Sequence, residues 1–380
     1  MREVYLDNGA TTRVADEVLK AMKPYYTDDY GNPSSTHTPG QRAREAVEKS
    51  RETIARRLNA GPEEIIFTSG GTESDNLAIR GVLKANPDKR HIITSRIEHP
   101  AVLKTCRELE KNGYGVTWLD VDKYGLVDMD QLEASIKDDT ALVSVIHGNN
   151  EIGTVQDIKG IGEICKEKNV IFHTDAVQSF TKEEIDVRKI PADLISMSAH
   201  KIHGPKGIGA LYIRKGTGIK PVSSGGEHEF RMRPGTENVP GIVGFAEAVR
   251  ISSGIDKERI MMLRDRIIRR VLDEIPDTRL NGHPKKRLCN NANITFSRIE
   301  GESIMLHLDL KGIQVSTGSA CSSQSLEPSH VITALGLPPE DSHGSIRFTL
   351  SRYTTEGDID YCVDELKPII ENLRKISPFK

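Results

Sequence analysis

Only five of the 380 residues are cysteine, at 106, 165, 289, 321 and 362, and no two form a C-x-x-C pair. An odd, scattered set fits neither a disulfide framework nor a zinc ribbon, so reduced thiols are expected. Charge of one sign is also lacking. A formal net charge of -3 with acids and bases interspersed offers no field that would favour nucleic acid or an anionic membrane. No apolar run reaches bilayer length, and the start, MREVYLDNGATT, has no basic region followed by an apolar stretch, so the expected location is the cytoplasm. There is no internal repeat or low-complexity tract. Neither G-x-x-x-x-G-K-[ST] nor G-x-G-x-x-G occurs, which disfavours nucleoside triphosphates and dinucleotides.

What the chain does have is a long α/β pattern. With 37% hydrophobic and 28% charged residues it can bury a large core, and its length suggests two domains. From residue 16 to about 250, short β-rich runs alternate with helical patterns, the signature of a mainly parallel sheet covered by helices. EIIFTS, HIITSR, ALVSVIH, NVIFHT, DLISMS and GALYIR read as buried strands. SSGID, near 252 to 256, marks a hinge. Beyond it a helix over about 257 to 275, strands around NITFSR and SIRFTLS, and a closing helix in DIDYCVDELKPIIENLRK suggest a smaller α+β domain. The expected division is a large domain over 16–255 and a small one built from 1–15 and 256–380.

Ligands of open α/β sheets sit beyond the carboxyl ends of the strands, and the residues following the apolar runs are unusually chemical. They are Gly70-Gly71-Thr72, Glu98-His99, Asn149-Asn150, Asp175 with Gln178, and His200-Lys201. Gly71 and Thr72 at a helix start suit a phosphate, or Thr72 simply caps the helix. Asp175 suits a protonated pyridine nitrogen, or caps the turn before AVQSF. Lys201, after an apolar strand, suits a Schiff-base lysine, with Lys206 a competitor on composition. His99 suits covering an aromatic cofactor face and moving protons, or is a plain loop or core histidine. Cys106, Cys165 and Cys362 lie in helical patterns as small apolar residues, whereas Cys321 sits among Gly and Ser in VSTGSACSSQSLEP, a setting for an exposed nucleophile or for an incidental exposed thiol. Arg347, in SIRFTLS, suits a bidentate carboxylate clamp or a surface salt bridge.

In order along about residues 3 to 355, YLDNGATT, GNPSSTH, FTSGGTESDNLAI, EHPAV, NNEIGTVQ, HTDAVQS, SAHKIHGPKGIGALY, RPGTENVPGIVG, STGSACSSQSLEPSHVITALG and SIRFTLSRYTT resemble the NifS/IscS cysteine desulfurases. These are class-V-aminotransferase-like enzymes of fold type I that use pyridoxal 5'-phosphate. The resemblance implies a homodimer with a large cofactor domain and a small domain carrying the cysteine loop. Lys201 would bond the cofactor aldehyde, Asp175 would pair with the ring nitrogen, Gln178 would contact the ring hydroxyl, and His99 would stack on the ring. Gly71, Thr72, Ser198 and His200 would hold the phosphate, with Thr236 of RPGTEN reaching across from the neighbouring subunit. Asn150 and Arg347 would hold the substrate carboxylate.

The activity so implied converts L-cysteine to L-alanine, with Lys201 as base and the Cys321 thiolate taking the sulfur as a persulfide. Delivery to an IscU-type scaffold for iron-sulfur cluster assembly follows from the same resemblance, and a thiolate that carries sulfur can also ligate iron, which makes Cys321 a candidate transient cluster ligand. The departures, GGTES for GATES, HGNNE for HVNNE and CSSQSLEP for CTSASLEP, remove no required group. The alternatives are a selenocysteine lyase or other fold type I enzyme, which would not need a thiol on a mobile loop, and a non-catalytic iron-sulfur assembly platform.

Overall fold

The computed structural model describes residues 2–318 and 329–377. Numbered along the chain, the strands are β1 (Val4–Tyr5), β2 (Ile65–Thr68), β3 (His91–Ser95), β4 (Gly115–Leu119), β5 (Thr140–Ser144), β6 (Ile171–Asp175), β7 (Leu194–Ser198), β8 (Gly209–Ile213), β9 (Thr278–Asn281), β10 (Asn291–Phe296), β11 (Ile313–Gln314) and β12 (Ser345–Thr349). β2 to β8 form a seven-stranded sheet in the order β2-β8-β7-β6-β5-β3-β4. Pairing is parallel from β7 to β4, and β8 runs antiparallel to both β2 and β7. All six runs read as strands from their apolar content are present. The additional strand, β4, sits at the sheet edge, where only Leu119 is buried, so no continuous apolar run announces it.

Both faces of this sheet are covered. Val143 and Ile195 pack on one side with the helices Thr38–Leu58 and Val239–Ser252, while Leu142 and Leu194 pack on the other with Gly71–Ala85 and Pro100–Lys111. That alternation within β5 and β7 is the two-residue period of a strand buried on both sides. A separate core joins Val4 and Leu6 to residues 260 through 373. It lies on the antiparallel sheet β12-β10-β9 and on the helices Lys257–Glu274 and Glu356–Ile376. The chain start therefore packs with the chain end: β1 pairs parallel with β11, and Asp7 bridges to Thr349.

After β1 the chain crosses to the large sheet. Thr12 receives particular use, since its Oγ1 donates to the carbonyl of His200 at 2.8 Å and accepts from the His203 N–H at 2.8 Å. These bonds set residues 9 to 12 against the turn that carries Lys201. Among the described residues no helix is long and apolar enough to cross a membrane.

Candidate active site

The carboxyl ends of β3, β5, β6 and β7 open on one cavity of about 200 Å³. Lys201, Asp175, His99, His200, Ser198, Gln178, Asn150, Arg347, Gly71 and Thr72 all line it. Thr236 does not; it is exposed on the surface, outside this cavity. Cys321 lies outside the described residues.

The 3-10 turn Ala199–Lys201, directly after β7, places Lys201, whose Nζ donates to the carbonyls of Gly9 at 2.6 Å and Ala10 at 2.8 Å. Lys206 is exposed, which separates the two lysines that composition alone left level. Asp175 ends β6 and is 3% exposed. Its Oδ1 accepts the Val177 N–H at 2.9 Å, so it braces the following turn while also facing the cavity. Burial raises its carboxyl to about 6, against the pull of that hydrogen bond and of the Lys201 cation. Gln178 donates to the Gly9 carbonyl at 2.8 Å, the same oxygen that Lys201 uses.

His99 caps the helix Pro100–Lys111, and its Nδ1 accepts the Ala101 N–H at 3.2 Å. A neutral ring in this position carries its proton on Nε2. Burial and then Lys201 lower this imidazole to about 4, and burial, Lys201 and Lys206 lower His200 to about 3, so both are neutral near pH 7. Beside His99, Glu98 is raised to about 8 by burial, although its Oε1 accepts from Ser95 Oγ at 2.5 Å and from Ile146 N–H at 2.9 Å. Arg347 is 1% exposed, which rules out the surface salt bridge. Its Nη1 donates to the Asn150 carbonyl at 3.0 Å and its Nη2 to Asp7 at 2.8 Å, while Nε has no partner among the described residues.

The helix Gly71–Ala85 begins at the cavity wall with Gly70 at its N-cap and no side-chain cap, so Thr72 is not the capping residue. Close approach explains the glycines here: a Cβ on Gly71 would lie 2.6 Å from Val177 Cγ2, and one on Gly209 would lie 2.7 Å from the Gly70 Cα. The result is a helix start whose first N–H groups, beside Ser198 and His200, suit an anion.

The family profile "Aminotransferase class-V" matches residues 4–362. The chain is 54% identical to "Cysteine desulfurase IscS" of Dictyoglomus turgidum over 100% of this chain and 97% of that one. The protein of the same name from Methanosarcina thermophila is 53% identical over 99% of this chain and 94% of its own.

The chain belongs to the class-V aminotransferases, in their cysteine desulfurase branch.

Among solved structures, a "NifS-like protein" superposes with a TM-score of 0.91 at 38% identity, covering 98% of this chain and all of that one. "SspA in complex with cysteine" gives 0.83 at 39% identity, over 93% of this chain and all of that one. Class-V aminotransferases use pyridoxal phosphate, and the cavity fits that group on its own evidence. It offers an amine, a buried carboxylate with few local donors, neutral imidazoles and an anion cradle in one wall.

Two contributors to this site escape sequence reading. The carbonyls of Gly9 and Ala10 are backbone groups that no side-chain motif reports. Asp75 does leave a signal: it stands on the apolar stripe of its helix with Ala78, Ile79 and Val82, where a charged residue is out of place.

Proposed function

We propose that this protein is a pyridoxal-phosphate-dependent cysteine desulfurase that takes sulfur from L-cysteine, holds it as a persulfide on Cys321 and releases L-alanine. The observation that carries the reading is the convergence of Lys201, Asp175, His99, His200 and Arg347 on a single cavity. The curated relatives named above and the cysteine bound by the structurally similar SspA support the substrate.

Lys201 would bond the cofactor aldehyde, Asp175 would face the ring nitrogen, Gln178 the ring hydroxyl, and His99 a ring face. Gly71, Thr72, Ser198 and His200 would take the phosphate. The bound cofactor would supply a sink for the electron pair released when the substrate's Cα–H bond breaks. Asp175, ionised near pH 7 with its carboxyl at about 6, can hold a proton on a ring nitrogen. Lys201 Nζ is the group suited to take the substrate's α-proton, and the neutral His99 keeps Nε2–H to offer. Arg347, with Nε unengaged among the described residues, and Asn150 would fix the substrate carboxylate.

The Cys321 thiolate would then attack the substrate sulfur: the new S–S bond forms as the C–S bond breaks, the C–S electron pair stays with the substrate's Cβ, which takes up a proton, and alanine leaves. Elimination supports this assignment. Burial pushes the thiols of Cys106, Cys165 and Cys362 up to about 12 and raises that of Cys289, so none of the four is ready as a thiolate. The persulfide sulfur would pass to an IscU-type scaffold for iron-sulfur cluster assembly, or to other acceptors, with Cys321 a candidate transient cluster ligand. An exposed Thr236 supports a homodimer in which it completes a neighbour's phosphate site. A cytoplasmic location is part of the same proposal.

The test is mass spectrometry after incubation with cysteine. Extra sulfur is expected on the peptide containing Cys321, and Cys321→Ala should keep the yellow chromophore of the bound cofactor while losing alanine formation. Full turnover by that variant would remove Cys321 from the mechanism.

A further inference from the structure

The cavity contains one acid more than this chemistry employs. Asp75 is 1% exposed and lines the same wall as Asp175. One carboxylate oxygen from each aspartate and a ring nitrogen of His99 all lie within 4.8 Å of one another. Among the described residues no group meets hydrogen-bond geometry at Oδ1 of Asp75, although the Ser196 hydroxyl is near enough to favour the ionised carboxylate.

The groups facing Asp75 come from several elements. His173 on β6 places Nε2 at 3.6 Å from Asp75 Oδ1 and 2.9 Å from Ser196 Oγ on β7, and its Nδ1 meets Ser144 Oγ on β5 at 2.9 Å. Hydroxyls therefore engage both imidazole nitrogens, and burial lowers this histidine to about 3, so it brings no positive charge. Glu98 adds an acid from the turn after β3, and Lys201 acts on Asp175. Two ionised carboxylates this close and this buried would repel strongly, and a shared site of this kind gives up one charge.

We propose that Asp75 and Asp175 form a one-proton pair, in which Asp75 is the neutral positioning acid and Asp175 presents the single negative charge to the cofactor ring. This deepens the reading of Asp175 as the ring-nitrogen partner and rests on it. Burial, and after it the charge of Asp175, pushes the Asp75 carboxyl well above the usual carboxylate range, against the lesser pull of the Ser196 hydroxyl, whereas Asp175 has the Val177 N–H and Lys201 to favour its ionised form. The division of labour follows from position. Asp75 is fixed on a rigid helix against the Ser144–His173–Ser196 row, while Asp175 ends its strand with an N–H donor at hand. One charge holds a ring-nitrogen proton; two would be a buried excess, and none would lose the proton.

Infrared difference spectra of the cofactor-free full chain, taken across pH, read the proton directly. Glu98→Gln serves as the background, because Glu98 contributes its own protonated carboxyl band. A protonated-carboxyl C=O band should persist near pH 7 in that background and vanish when Asp75→Asn is added; a band indifferent to Asp75→Asn overturns the pair. Cofactor affinity gives the second readout. Asp75→Asn, neutral for neutral, should change the pyridoxal phosphate Kd by less than about threefold, whereas Asp175→Asn should weaken it by about thirtyfold or more. A change above about tenfold for Asp75→Asn means that Asp75 carried charge and overturns the proposal.

An unchanged Kd for Asp175→Asn instead sinks the ring-nitrogen reading and leaves the cofactor-free infrared result standing by itself. Should Asp75→Asn fail to fold, carbon-13 NMR of the wild-type chain labelled at aspartate carboxyls counts the same proton. One protonated signal of the pair near pH 7 supports the proposal, and two ionised signals end it.

Discussion

Lys201 forms part of the wall of two cavities whose chemistry differs. The one at the strand ends contains Asp75, Asp175, His99 and His200; the other, a pocket of about 40 Å³ behind the turn, is lined by Lys182, Lys257, Arg352 and Cys289. In the rear pocket the buried amine is satisfied: Lys182 Nζ donates to the Gln178 carbonyl at 2.7 Å and to the Lys201 carbonyl at 3.3 Å. Among the described residues polar capacity is left over in the front cavity at Asp75 Oδ1 and Arg347 Nε, and in the rear pocket at Asn290 Oδ1 and Arg352 Nη1. Buried polar groups in native proteins are nearly always paired, so the paired ammonium of Lys182 reads as scaffold, whereas the unmet groups of the front cavity stand beside the acids, imidazoles and amine of the candidate site. Burial shows the same contrast, raising the front acids and lowering Lys182 to about 8.

The comparison predicts which readout each side moves. Lys182→Met removes the ammonium that ties two carbonyls of adjoining turns. Its main effect should be on stability, a loss of roughly 2–4 kcal/mol in denaturant unfolding of the holoenzyme. The Km for cysteine should stay near the wild-type value in the folded fraction. A large Km change with unaltered stability would place Lys182 in the chemistry and erase the distinction.

Arg347→Lys tests the front in the opposite sense. Lysine can keep one of the bonds to the Asn150 carbonyl and Asp7 but cannot offer a planar fork. The expected loss is about 1–2 kcal/mol in kcat/Km for cysteine, carried mostly by Km, with the cofactor chromophore intact. Steady-state kinetics showing an unchanged Km would assign Arg347 to holding Asp7 and the chain start alone.

Much of this contrast is legible in the sequence for a physical reason. β5 and β7 are buried on both faces, so TALVS and LISMS appear as apolar runs, and the polar residues that follow them fall at the cavity. β4 escapes because an edge strand needs only one covered side, and β9 because just Asn281 of its four residues is buried. Within the site, Asp175 had two readings, as a cap and as a cofactor partner, and the structure has its carboxylate bracing a turn and facing the cavity together. Lys201 and Lys206 differ in exposure, which composition does not encode. The rear pocket leaves no mark in the sequence: Lys182 and Cys289 are distant along the chain, and only the fold brings them to one pocket.

Cys289 gives the smallest and sharpest prediction, because it is the one described thiol near Lys201. Its half-buried sulfur is raised by burial, and Lys182, an opposing but lesser influence, does not reverse the direction. A protonated thiol is a poor nucleophile, so the rear pocket should have no part in sulfur transfer. Cys289→Ser should leave alanine formation within about twofold of wild type and cost less than about 1 kcal/mol in stability, since serine keeps the shape and adds only a hydroxyl. Mass spectrometry of the cysteine-treated enzyme should find no added sulfur on the peptide containing Cys289. A persulfide there, together with a tenfold or greater fall in turnover for Cys289→Ser, roughly the loss expected of a nucleophile rather than of packing, would make the rear pocket a second station for sulfur. The front cavity would then no longer be the only side of Lys201 with chemistry to do.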